Sequence, residues 1–84
     1  MVYSIEISHS AEKSLKAIPL QIQTRIITKI NALSSQPRPS GCKKLLNSTY
    51  YRIRVGDYRI IYEIIDKIIK IIILDIGHRK DIYR

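Results

Sequence analysis

Eighty-four residues make one domain with a single core, and a hydrophobic fraction of 45% excludes a disordered chain. Fifteen Lys and Arg against seven Asp and Glu leave a net charge of +8, which points to polyanionic partners. The lone Cys42 allows no internal disulfide, and Glu63, Asp66, Lys67 and Lys70 break the most apolar stretch, so a membrane span is excluded. With no signal-peptide apolar run in the first residues, the cytoplasm is the expected compartment.

Nineteen isoleucines favour a sheet-rich core, and six tyrosines supply all the aromatic area. Val2 to Ile7 alternates as a short strand. Ser8 or Ser10 can cap a helix carrying Ala11, Leu15 and Ile18 on one side. Pro19 interrupts and suits the first turn of a second helix, whose apolar stripe is Ile22, Ile26, Ile30 and Leu33. Gln23, Arg25, Thr28 and Lys29 take the other side of that helix. The segment from Ser34 to Gly41, with two prolines, reads as a loop.

Three strands follow: Tyr50 to Val55, Tyr58 to Ile65 and Ile68 to Ile76, separated by the pairs Gly56-Asp57 and Asp66-Lys67. The expectation is a single α+β domain over residues 1–84, ordered β-α-α-β-β-β. Its two-helix hairpin should pack on one face of a curved, mostly antiparallel four-stranded sheet.

If both turns hold two residues, Arg54 opposes Arg59, Ile53 opposes Ile60, and Ile65 opposes Ile68. Tyr62 then meets Ile71, and Arg59 meets Leu74. Tyr51, Ile53, Ile60, Tyr62, Ile64, Ile69, Ile71 and Ile73 form the face for the helices. The opposite face collects Arg52, Arg54 and Arg59, and simple alternation adds Leu74, Ile76 and His78 to it. Like charges directly opposed weaken a hairpin, so folding alone does not call for Arg54 against Arg59. Two guanidinium forks on adjacent strands suit one phosphate.

Two distant histidines, one cysteine and scattered acids offer no metal cluster, and isolated glycines at 41, 56 and 77 make no phosphate loop. Metal-free chemistry on a polyanion remains, with no cofactor. RNA fits because its 2'-hydroxyl can attack the adjacent phosphate without a protein nucleophile. Arg52, Arg54, Arg59 and Arg79 are the candidates for charge neutralisation. His78 is the natural proton shuttle, with Tyr83 as the alternative or as a stacking platform for a base.

The run Lys44-Leu45-Leu46, the stretch Tyr51-Arg52-Ile53-Arg54-Val55-Gly56-Asp57-Tyr58-Arg59-Ile60-Ile61-Tyr62 and the segment Gly77-His78-Arg79-Lys80-Asp81-Ile82-Tyr83 resemble the RelE toxins of bacterial toxin–antitoxin systems. Tyr3-Ser4-Ile5-Glu6-Ile7-Ser8 and Ala11-Glu12-Lys13-Ser14-Leu15 are similar too. The resemblance implies ribosome-dependent, metal-free cleavage of mRNA in the decoding site. It also implies neutralisation by a RelB-like antitoxin and operator DNA binding only as the toxin–antitoxin complex. By motif, Arg52, Arg54, Arg59, Arg79 and Tyr83 match catalytic positions; members often carry Lys where Arg52 and Arg54 stand, which shifts weight to His78. Lys43, Lys44, Arg38 and Lys80 are the expected contacts to ribosomal RNA. The sequence reaches Arg84 without the C-terminal helix that some members carry, so a site not covered by such a helix is expected. Two rivals stand beside this reading: a ParE-like gyrase inhibitor of the same fold, and a non-enzymatic basic module that binds nucleic acid or ribosomes.

Overall fold

The computed structural model describes residues 2–78. Strand β1 spans Ser4–Ile7, helix α1 His9–Lys16 and helix α2 Leu20–Leu33. Strands β2 (Lys43–Lys44), β3 (Tyr50–Val55) and β4 (Tyr58–Ile65) follow. A 3-10 turn at Asp66–Ile68 then leads into β5, Lys70–His78.

Local chemistry starts and stops these elements where their sequences require. Ser8 takes extended backbone angles and its Oγ accepts from the Ala11 amide at 3.1 Å, capping α1. Pro19 stands at the N-cap of α2, and its carbonyl accepts from the Ile22 and Gln23 amides, both at 2.9 Å. Gly56, at φ +59, makes the tight turn from β3 to β4, a position where a side chain is strained.

The sheet has five strands in the order β1-β5-β4-β3-β2. It is mixed: β1 lies parallel to β5, and the other three ladders are antiparallel. The four-stranded expectation therefore fell one strand short. Strand β2 is two exposed lysines, too short to show alternation.

Both helices cover one sheet face. Ala11, Leu15 and Ile18 from α1, and Ile26, Ile30 and Leu33 from α2, join Ile53, Val55, Ile60, Tyr62, Ile64, Ile71, Ile73 and Ile76 in one buried cluster. Each fully buried Ile contributes about 1.5–3 kcal/mol through the water it excludes. Tyr62 is fully buried, stacks on Tyr51 with centroids 5.9 Å apart, and donates from its hydroxyl to the Pro37 carbonyl at 2.8 Å. Burial pushes its phenol well above the ordinary range.

The first hairpin has the expected register, with Val55 against Tyr58, Arg54 against Arg59 and Ile53 against Ile60. The second does not. Its turn is longer, because Ile69 takes a left-handed conformation (φ +51) after the 3-10 turn, and Ile65 pairs with Lys70 instead of Ile68. Tyr62 consequently meets Ile73, not Ile71. A second shift follows one residue later: Ile61 meets Asp75, so Leu74 is an extra residue in β5. Ser8 holds this bulge from outside, its amide donating to the Ile73 carbonyl at 2.9 Å and its Oγ to the Leu74 carbonyl at 3.0 Å.

Candidate functional site

On the sheet face away from the helices, the ladders line up two rows. One runs Lys43, Arg52, Ile61, Asp75 across β2, β3, β4 and β5. The other runs Arg54, Arg59, Gly77 across β3, β4 and β5. The cross-strand opposition of Arg54 and Arg59 expected from the hairpin is thus present, and the two-residue turn at Gly56 is what enforces it. Arg54 is exposed, Arg52 half-buried, and Arg59 only 1% exposed. A guanidinium so far removed from water is costly unless its charge is answered, which makes Arg59 a held, oriented group.

Asp75 was missed in the sequence reading. It reaches this face only because the extra residue Leu74 resets the alternation of β5. The same bulge corrects the expectation for Ile76 and His78. Ile76 pairs with Ile60 and is 1% exposed in the core, and His78 pairs with Tyr58 on the helix side of the sheet. There its ring meets Tyr58 edge-on, with centroids 5.3 Å apart and planes at 78°. Ser14, Ala17, Ile18, Tyr58 and Ile76 line a small cavity of about 280 Å³ beside it. Across from Arg59, β5 instead presents Gly77, which carries no side chain into the arginine row.

Arg52, Arg54 and Lys43 come together at a cleft of about 400 Å³, with Lys29, Ser40, Gly41 and Ile53 completing its walls. Lys29 was read from the sequence as part of a polar helix side, and helical periodicity alone does not say that this side borders an arginine strand. Lys44 is exposed on β2, paired with Tyr51. Arg38 is differently engaged. Its guanidinium forms an ion pair with Asp66 at 3.0 Å, donates from Nε to the Tyr51 hydroxyl at 3.1 Å, and lies 5.3 Å from the centroid of that ring. Tyr3 donates to the same carboxylate at 2.6 Å. The hydrogen bonds from Tyr3 and then Arg38 hold the Asp66 carboxyl below its ordinary range, and the Tyr3 phenol is raised in return. Arg79, Lys80 and Tyr83 lie outside the described residues.

Residues 5–83 match the family model described as the ParE toxin of type II toxin–antitoxin systems, parDE. Toxin RelG of Mycobacterium tuberculosis is 31% identical over 87 aligned residues, covering 100% of this chain and 99% of that protein. The archaeal RelE–RelB complex from Pyrococcus horikoshii contains a chain that aligns with a TM-score of 0.85 at 30% identity, covering 94% of this chain and 97% of that one. The RelB–RelE antitoxin–toxin complex of Methanococcus jannaschii gives a TM-score of 0.77 at 33% identity, covering 93% and 94%. The chain belongs to the RelE family, within the RelE/ParE superfamily of type II toxin–antitoxin toxins.

Proposed function

We propose that this toxin is an endoribonuclease that cuts messenger RNA in the decoding site of the 70S ribosome without a metal, and so arrests translation. The observation that carries the reading is the Arg54–Arg59 opposition, with Arg52 and Lys43 in the next row of the same face. Guanidinium forks on neighbouring strands offer paired donors of the geometry a phosphate accepts, and Arg52 and Lys43 add positive charge beside them.

In the proposed reaction the ribose 2'-oxygen attacks the adjacent phosphorus and the bond to the 5'-oxygen breaks. The products are a 2',3'-cyclic phosphate and a 5'-hydroxyl end. One proton leaves the 2'-hydroxyl and one reaches the departing 5'-oxygen. Arg52, Arg54, Arg59 and Arg79 neutralise charge on the pentacoordinate phosphorus, and guanidinium groups do this without exchanging protons. Proton transfer falls to His78 or Tyr83. The position of His78 beyond the helix side of the sheet favours Tyr83, whose phenol also suits stacking on a displaced base. Lys43, Lys44 and Lys80 serve as contacts to ribosomal RNA. Arg38 has a weaker claim to that role, being already paired with Asp66.

The RelE chains of the two archaeal structures are bound to RelB antitoxins. A RelB-like antitoxin is accordingly the partner we propose here, with operator DNA bound only by the pair. A second reading, inhibition of DNA gyrase, is favoured by the ParE description of the matching family model. Primer extension on mRNA translated by purified ribosomes decides between them. The expected result is cuts within codons that require ribosomes and persist in EDTA-treated protein. Intact mRNA together with blocked gyrase supercoiling would install the gyrase reading.

A further inference from the structure

We infer that the cleft between α2 and the outer edge of β3 extends the arginine rows into a longer RNA-backbone track, with Arg25 and Lys29 of α2 as its added cationic wall. The inference rests on the RNA-cleaving reading for the identity of the polyanion.

Two clefts meet there, of about 400 Å³ and 560 Å³, and Lys29 and Arg54 line both. Arg25, Lys43 and Arg52 complete the set of cations, and among the described residues no Asp or Glu lines either cleft. Helix α2 itself contains no acidic residue, although Arg25 and Lys29 stand one turn apart. Like charges at that spacing weaken a helix, and folding offers no compensation for them here. The guanidinium of Arg25 lies over the β3–β4 turn, 3.7–3.8 Å from where a Cβ on Gly56 would stand.

The edge of the sheet leaves room for a ligand. Strand β2 pairs only with Tyr51 and Arg52, so among the described residues no strand flanks β3 from Ile53 to Val55 on that side. Gly41, at φ +92, has no atom within 4 Å of an added Cβ, so the opposite wall is open. The Thr24 and Thr28 hydroxyls donate to carbonyls of their own helix, at 3.2 and 2.9 Å, which leaves recognition to the cations. Charges spread along two joined clefts suit successive phosphates of a strand better than one small anion.

The test compares two double variants of equal charge loss: Arg25→Gln/Lys29→Gln in the cleft, and Lys13→Gln/Lys16→Gln on the exposed side of α1. Each is titrated against 70S ribosomes, isolated 16S ribosomal RNA and a short single-stranded RNA across a range of salt. The cleft variant should bind roughly tenfold more weakly and lose about 1.4–1.8 from the slope of log affinity against log salt, while the α1 variant tracks wild type. Whether the loss appears on 16S RNA or on the oligonucleotide identifies which strand occupies the cleft. Equal losses in both variants, or none in the cleft variant, would overturn the inference. So would a cleft variant that keeps its RNA affinity and loses affinity for poly-glutamate, since the occupant would then be an acidic polypeptide. Should wild type leave ribosome-bound mRNA uncut, the nuclease reading falls, and the RNA titrations still decide the cleft.

Discussion

Arg54 and Arg59 occupy directly opposed positions, yet their surroundings differ: one is exposed, the other 1% exposed. On the proposed nuclease reading, the difference suits them to different tasks. Arg59 is fixed before any ligand arrives, and Arg54 is free to close on one. Replacing Arg54 by Ala should therefore lower mRNA cleavage by about 10²–10³ while leaving the thermal midpoint unchanged, because its side chain is solvated in the folded protein. His78→Gln should keep cleavage within about fivefold of wild type, far short of the 10²–10⁴ that a proton-transfer group supplies. Single-turnover rates on programmed ribosomes measure both. A large loss at His78 with full activity at Arg54 would reverse the assignment of roles.

At the scale of elements, the most informative segment is the β4–β5 connection. Ile69 is β-branched and sits at φ +51, a region that costs an L-residue roughly 1–2 kcal/mol. In return its carbonyl accepts from the Ser4 amide at 3.0 Å, docking β1 onto the sheet. Ile69→Asn, which tolerates this conformation, should leave the stability to denaturant within about 1 kcal/mol of wild type or raise it. Ile71→Ala, two residues on and fully buried, should cost about 2–5 kcal/mol. A loss above that scale at position 69 would show that its side chain, not its backbone, matters.

These elements also show where a sequence is readable. The first hairpin could be read to the residue because Gly56-Asp57 both ends and aligns its strands, and the helices followed from Ser8, Pro19 and apolar spacing. The second hairpin could not, because nothing in the composition of an isoleucine run marks Ile69 as left-handed or Leu74 as surplus. Period-two alternation then carried Ile76 and His78 to the wrong side and hid Asp75. The arginine row was legible, since it lies upstream of both irregularities. The contribution of Lys29 was not, because it depends on which strand α2 lies beside.

The whole molecule is tied together by contacts distant in sequence. Tyr3, Asp66, Arg38 and Tyr51 link the residue before β1, the 3-10 turn, the proline loop and β3 through hydrogen bonds of 2.6, 3.0 and 3.1 Å. Since the Asp66 carboxyl is held below its ordinary range, its contribution is present above about pH 4 and is lost as pH falls through the lower folded value. Asp66→Asn removes that contribution at neutral pH and has none to lose in acid. The difference in unfolding midpoint between wild type and variant should accordingly shrink as pH drops from 6 to 2.5. A difference that stays constant across that range would mean the carboxylate is unlinked to folding.

Strand β5 lies between β4 and β1 although it is the last element among the described residues, and β1 waits for it with partners 66 residues ahead, Ser4 for Lys70. During synthesis, then, β1 has no ladder and the floor under α1 is missing until β5 has been made. Pairings of such long range form late and slowly. The arginine strands β3 and β4 are therefore made before the strand that joins them to β1, so the basic face gains its full backing only when β5 has docked.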